Sequence, residues 1–145
     1  MKRTTILGLC LFIVGTVLPI GESKSAQSNR SLESFWQKFK TAVISGDKRT
    51  VAGLSQFPLI IAESAPKIRN SAELGRRFAE VFEQNANAAQ CFDKKGPTPD
   101  TENTNRYTVV CPVNEGKDFV AYEFEQTRLG WKFIHRQFPS ICRCR

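Results

Sequence analysis

Cysteines are the residues whose chemistry follows most directly from their number and spacing. The chain of 145 residues holds five of them, and Cys10 lies in an apolar N-terminal run. The other four are Cys91, Cys111, Cys142 and Cys144, and an even number in a small exported chain is typical of two disulfides. A bond between Cys142 and Cys144 would be strained, because one residue separates them. We therefore expect each of these two to bond with Cys91 or Cys111, although three connectivities remain open.

Two other uses of the cysteines are weighed against structural disulfides. Four clustered thiols could bind zinc tetrahedrally, but the spacing is not that of paired C-x-x-C motifs, and export favours oxidation. A redox-active C-x-C is the other alternative, because Arg143 and Arg145 would favour a neighbouring thiolate. Structural disulfides are the favoured interpretation. Replacement of Cys142 and Cys144 by serine is then expected to lower the melting temperature.

Motifs of known catalytic chemistry are absent from the sequence. It contains no G-x-S-x-G, no H-E-x-x-H and no glycine-rich phosphate loop. His135 is the only histidine, which disfavours a conventional serine or cysteine triad and excludes a histidine-rich metal site. We therefore expect no cofactor and no metal.

The N-terminal residues 1–26 have the layout of a secretory signal peptide. Lys2 and Arg3 precede an apolar run over residues 6–20, and a segment of small polar residues follows. The run of about fifteen residues is shorter than the roughly twenty that span a bilayer. An uncleaved anchor is the alternative, and lipidation of Cys10 is disfavoured because Leu9 occupies the position of a small residue. We predict a secreted or periplasmic protein that meets the membrane only through the signal before cleavage.

Charge and length limit what the exported chain can be. The full sequence carries 21 basic and 14 acidic residues, and removal of residues 1–26 leaves 18 and 13, a net charge of +5. No nucleic-acid motif or basic-aromatic platform accompanies this charge, so we expect no nucleic-acid partner. About 119 residues suffice for one domain with a single core. We place a short leader at residues 27–30 and one domain at residues 31–145.

The first half of that domain has helical periodicity. Ser31 is a suitable N-cap for a helix that Gly46 ends, and Asp47 can cap a second, short helix through Leu54. The apolar residues of the first helix lie on one face: Leu32, Phe35, Trp36, Phe39 and Val43. Residues 56–62 read as an edge strand, because Pro58 lacks a backbone donor.

The second half changes from helical periodicity to strand alternation. We predict that Ser71 caps a helix over residues 71–85 with an apolar face of Leu74, Phe78, Val81 and Phe82. Strands are predicted at residues 88–94, 105–112, 118–127 and 131–138, joined as antiparallel neighbours. This predicts an α+β fold in which N-terminal helices cover one face of a curved antiparallel meander sheet, with all four thiols at one end.

The order of elements resembles that of the nuclear transport factor 2-like superfamily, an α+β cone related to cystatin-like proteins. Three stretches carry the resemblance: FWQKFKTAVISGDKRTVAGLSQFPL at residues 35–59, KIRNSAELGRRFAEVF at residues 67–82, and FVAYEFEQTRLGWKFIHRQF at residues 119–138. The resemblance implies a bacterial secreted member. Since the superfamily contains isomerases, hydrolases, dehydratases and transport adaptors, it does not choose an activity.

The resemblance also implies where an acid–base site would lie. In the superfamily's enzymes the cone holds a base and often tyrosine donors, so His135, Tyr122, Tyr107, Glu123 and Glu125 are weak catalytic candidates. His135 is expected to share a side of its strand with Trp131 and Phe133, while Glu123 and Glu125 alternate toward solvent. The cone would be lined or filled by eight aromatic residues: Phe35, Trp36, Phe39, Phe78, Phe82, Phe124, Trp131 and Phe133.

These observations favour a non-enzymatic function. The sequence indicates a fold but contains no catalytic motif. We therefore predict an exported binding domain that is stabilised by disulfides and binds a protein partner or a small apolar ligand. The alternative is a small-molecule isomerase or hydrolase that uses the cone pocket. A homodimer is compatible with the resemblance, and nothing in the sequence requires one.

Overall fold

The structure is a computed structural model that describes residues 24–62 and 65–138, with side chains from residue 30. Residues 1–23 of the predicted signal peptide, as well as Cys142 and Cys144, therefore lie outside the described residues. The helices in chain order are α1 Lys24–Ile44, α2 Lys48–Gly53, α3 Ser71–Arg76, α4 Phe78–Phe82 and α5 Ala88–Lys94. The strands are β1 Ser55–Ile60, β2 Thr98–Pro99, β3 Arg106–Val113, β4 Asp118–Thr127 and β5 Gly130–Gln137.

The strands form one mixed sheet in the order β1-β5-β4-β3-β2. Strands β3 to β5 are antiparallel neighbours, as predicted. The short strand β2 also pairs antiparallel to β3, although its residues were predicted as a connection, and β1 joins the far edge parallel to β5. Strand β1 contains Pro58 and is an edge strand, which confirms that prediction. The helices pack against one face of the sheet, so the predicted α+β class is confirmed. None of the described helices is long and apolar enough to cross a membrane.

Helix α1 begins earlier than predicted and ends where predicted. Its backbone starts at Lys24, so Ser31 is not its N-cap but lies inside it, where the Ser31 hydroxyl accepts a hydrogen bond from Trp131 Nε1 at 3.1 Å. At the other end Gly46 has a φ of +69° and donates to Val43 O, while Asp47 N donates to Ala42 O. This pair of bonds is a Schellman motif, which satisfies carbonyls that the helix leaves unpaired.

Local capping starts the two helices that follow α1. The Asp47 carboxylate accepts from Thr50 N at 3.0 Å and caps α2, as predicted. Asn70, rather than Ser71, caps α3: its side chain accepts from Glu73 N, and the Glu73 carboxylate in turn accepts from Arg69 N. The predicted helix over residues 71–85 is divided at Arg77 into α3 and α4.

The segment predicted as a strand at residues 88–94 is helix α5. Asn87 caps it, because its side-chain oxygen accepts from Gln90 N at 3.0 Å. Ala88 and Phe92 are four residues apart and both fully buried, so they form the inner face of a helix. The prediction was wrong because the seven residues contain only two alanines and one aromatic residue, a pattern that fits both the periodicity of a helix and the alternation of a strand.

The disulfide pairing differs from the expected one. Cys91 on α5 is bonded to Cys111 on β3, with their Cα atoms 5.8 Å apart and a sequence separation of 20. Cys91 therefore does not start a strand, and the expectation that Cys142 and Cys144 bond with Cys91 and Cys111 is wrong. The bond attaches α5 to the sheet.

The space between α1 and the sheet is filled by aromatic rings. Phe39 is fully buried, and its ring centroid lies 5.1–6.5 Å from those of six other rings: Phe35, Trp36, Phe82, Phe92, Phe124 and Phe133. Rings at these distances stabilise each other beyond the effect of burial alone. All eight of the aromatic residues named from the sequence are buried, and they belong to the hydrophobic core.

The disulfide assignment can be tested by replacing the cysteines in pairs. Replacing Cys91 and Cys111 by serine should lower the free energy of unfolding by about 3 kcal/mol, because the bond closes a loop of about twenty residues. Replacing Cys142 and Cys144 should lower it much less, because the Cys91–Cys111 bond is intact and the two remaining thiols can only close a three-residue ring. Urea unfolding without reductant measures both effects. Equal losses, or a peptide map that links Cys91 to Cys142 or Cys144, would contradict the assignment.

Candidate functional site

The candidate site depends on one irregularity between β4 and β5. Glu123 pairs with His135 and Phe124 pairs with Phe133, so Ile134 is an extra residue on β5. An extra residue of this kind is a β-bulge, and it reverses which face of the sheet the following side chains occupy. Trp131 and Phe133 precede the bulge and are buried against the helices.

The bulge places His135 on the outer face of the sheet, away from the aromatic core. Its side chain is 27% exposed, and its Nδ1 lies 3.6 Å from Glu123 Oε2. The expectation that His135 shares a side with Trp131 and Phe133 is therefore wrong. A strict two-residue alternation gives that expectation, and the extra residue at Ile134 removes it.

Glu123 and Glu125 also lie on the outer face, where they form a cluster with Arg106. The Arg106 guanidinium is 3.0 Å from Glu125 Oε2 and 4.0 Å from Glu123 Oε2. The three side chains are 16–36% exposed, so solvent screens their interactions. These residues and His135 form a partly exposed network on the surface, in which one guanidinium faces two carboxylates.

Tyr122 is the catalytic candidate that lies deepest on the inner face of the sheet. It is fully buried on β4, and its hydroxyl donates to Val81 O at 3.3 Å. Burial raises the pKa of Tyr122 to about 12, although the neighbouring Arg136 guanidinium acts in the opposite direction. The hydroxyl is therefore a neutral donor at physiological pH. Tyr107 lies nearer the other end of the sheet, edge-on to Trp131 at 5.4 Å between centroids.

Arg136 is the functional candidate that sequence reasoning missed. It follows the bulge, pairs with Tyr122 across the strands, and is only 3% exposed. Its Nη1 donates to Ile61 O at 3.2 Å, whereas its buried Nε and Nη2 atoms have no hydrogen-bond partner. No sequence signal marks this arginine as internal, because its face depends on the bulge at Ile134.

Two of the grooves that are lined by described residues are open to solvent. One of about 250 Å³ runs beside the disulfide, between Gln90 and Lys94 of α5 and Pro112 of β3. Another of about 460 Å³ lies between the end of α1 and Phe82. Within residues 24–62 and 65–138, no group of three or more His, Cys, Asp or Glu side chains could hold a metal ion.

The two faces of the sheet thus carry different chemistry. The inner face offers a neutral hydroxyl on Tyr122 and a cation on Arg136, which can both bind an anionic or carbonyl oxygen. The outer face offers Glu123 and His135, an acid and a base that are open to water. Since the sheet separates the two pairs, the described residues do not combine a base with the inner donors.

Because the buried Tyr122 stays neutral, the free energy of unfolding should depend on pH in the alkaline range. An unfolded tyrosine loses its proton near pH 10, whereas the buried one keeps it until about pH 12. Between these values the unfolded state binds fewer protons, so the free energy of unfolding should fall as pH rises, by on the order of 2 kcal/mol in total.

Urea unfolding between pH 9 and pH 12 measures this dependence. Tyr122→Phe should remove most of the fall, at a cost near neutral pH of about 1 kcal/mol for the lost hydrogen bond. Tyr107→Phe is the matched control and should keep the fall. The same pH profile in Tyr122→Phe and in the parent would refute the assignment.

Several solved structures are similar to this chain in the arrangement of their elements. A nuclear transport factor 2-like protein with a cystatin-like fold from Novosphingobium aromaticivorans is 12% identical over 79% of this chain and 82% of its own, with a TM-score of 0.43. A ketosteroid isomerase-like protein from Erwinia carotovora atroseptica is 12% identical over 75% and 92%, with a TM-score of 0.44. A protein of unknown function from Pectobacterium atrosepticum is 8% identical over 78% and 90%, with a TM-score of 0.47.

Comparisons by sequence give no relative. No protein-family model matches the chain, and no curated protein matches it. Two of the structural neighbours named above are described as nuclear transport factor 2-like and ketosteroid isomerase-like, and the third is of unknown function.

Proposed function

We propose that this chain is an exported, non-enzymatic binding domain for a small apolar ligand or a protein partner. The observation that carries the proposal is the bulge at Ile134, which moves the only histidine outward and Arg136 inward. An arginine and a neutral tyrosine can hold a ligand by hydrogen bonds, but neither is a base at physiological pH. The inner face therefore supports recognition better than proton transfer.

The proposed location is secreted or periplasmic. The Cys91–Cys111 bond supports it, because structural disulfides persist in oxidising compartments. The predicted signal peptide at residues 1–26 supports it independently of the bond. We expect the mature chain to begin after Ser23, Ser25 or Ala26, which the intact mass of the exported protein would measure.

The alternative function is an isomerase or hydrolase of small molecules. The contact of 3.6 Å between His135 Nδ1 and Glu123 Oε2 favours it, because a carboxylate beside an imidazole can orient a base. The same contact lies on the outer face, outside the aromatic interior that would exclude water from a reaction. We therefore rank catalysis second.

A substrate screen with matched variants separates these functions. We expect no turnover of isomerase or hydrolase substrates by the oxidised, exported protein. His135→Ala should leave the free energy of unfolding within about 0.5 kcal/mol of the parent, because the side chain lies on a hydrated face. Lys132→Ala, on the same strand and face, is the control. Turnover that is lost in His135→Ala and Glu123→Gln but kept in Lys132→Ala would establish the alternative.

A further inference from the structure

The edge of a guanidinium group that Nε and Nη2 form is paired in Arg77 and unpaired in Arg136. Arg77 Nε and Nη2 donate to the two carboxylate oxygens of Glu80 at 2.7 and 2.8 Å. This is the bidentate geometry that an arginine makes with a carboxylate. On Arg136 the same two nitrogens have no partner, although the residue is far more buried than Arg77.

The empty edge of Arg136 has an energetic consequence. Arginine keeps its charge in proteins, and a buried donor without a partner costs free energy that folding must supply from elsewhere. Bulk solvent does not reach Nε and Nη2, because both atoms are buried. The Ile61 carbonyl accepts from Nη1 alone, so the edge of the guanidinium group that Nε and Nη2 form is buried without an acceptor.

The surroundings of that edge indicate what could occupy it. Tyr122 pairs with Arg136, and the Tyr122 ring stacks on Phe82 at 5.9 Å between centroids. Ile61 and Val81 are also buried here, and each contributes a backbone carbonyl, to Arg136 and Tyr122 respectively. A partner in this place needs an apolar body and one group that accepts two parallel hydrogen bonds.

The local charge limits that group to a single negative charge. Glu80 is ionised more readily than usual: the hydrogen bond from Arg77 lowers its pKa most, and the charges of Arg77 and Arg136 lower it further. Arg136 therefore already lies within the field of one carboxylate. A dianion such as phosphate would add two further charges to an enclosed site with one open cation.

We propose that Nε and Nη2 of Arg136 bind the carboxylate of a small apolar acid, with the Tyr122 ring against the apolar part of the acid. The inference rests on the proposed binding function and names its ligand class. Both nitrogens are shielded from solvent, so the packing around Arg136 must open locally for the acid to enter. Association is then slow for a ligand of this size.

Benzoate and hexanoate are suitable probes, with inorganic phosphate at equal ionic strength as the comparison. We expect either acid to raise the melting temperature of the oxidised full chain and to give a measurable Kd by calorimetry. Arg136→Met should abolish the effect, and Arg136→Lys should weaken binding roughly tenfold to hundredfold, because lysine keeps the charge without the bidentate edge. Arg106→Met, which removes a cation from the outer face, should bind as the parent does.

The stability of the free protein provides a second readout. If Arg136 serves binding, its buried and unpaired charge destabilises the free protein. Without ligand, the free energy of unfolding of Arg136→Met should therefore equal or exceed that of the parent. A marked loss of stability in Arg136→Met would overturn the proposal, because it would make Arg136 a structural residue. Equal binding by Arg136→Met and the parent would overturn it as well.

The remaining outcomes separate this inference from the proposed function. Stabilisation by phosphate but not by either acid, or no binding of any probe, would overturn the carboxylate site and leave a non-enzymatic binding domain in place. Consumption of a bound acid by the parent but not by Arg136→Met would support the site and overturn the non-enzymatic function.

Discussion

The single extra residue in β5 determines what each face of the sheet can do. Up to Phe133 the strand alternates its side chains in register with β4, and the aromatic ones face the helices. After Ile134 the alternation is reversed, so the next inward position belongs to Arg136 and the outward one to His135. Every functional assignment depends on that reversal. Without it the cone would contain an imidazole beside Tyr122, which is an arrangement suited to proton transfer.

The aromatic core makes this irregular strand tolerable. Phe39 on α1 contacts rings from α4, α5, β4 and β5, so one residue connects most of the elements on the inner face. The Cys91–Cys111 bond joins α5 to β3 on the side away from β5. The sheet is thus held by ring packing in its middle and by a covalent bond near its edge. Such a core can offset the free energy that a buried guanidinium group with unpaired donors costs.

Local signals in the sequence predicted the elements whose boundaries are set locally. The apolar face of α1, the Asp47 cap of α2 and strand β4 at residues 118–127 follow from periodicity and capping alone. Helix α5 was missed, because seven residues with two buried positions fit either period. The disulfide pairing and Arg136 were missed for a different reason. The disulfide pairing depends on where α5 packs against β3. The inward position of Arg136 depends on a bulge, which no residue composition marks in the sequence.

Hydrogen exchange of the arginine side chains tests the account most directly. The Nε–H of Arg136 can be identified in a ¹H–¹⁵N spectrum as the signal that disappears in Arg136→Lys. If the bulge turns this side chain inward, that hydrogen is shielded and must exchange far more slowly than the Nε–H of Arg128, which lies on an exposed turn. Exchange as fast as that of Arg128 would place Arg136 on the outer face and return His135 to the cone.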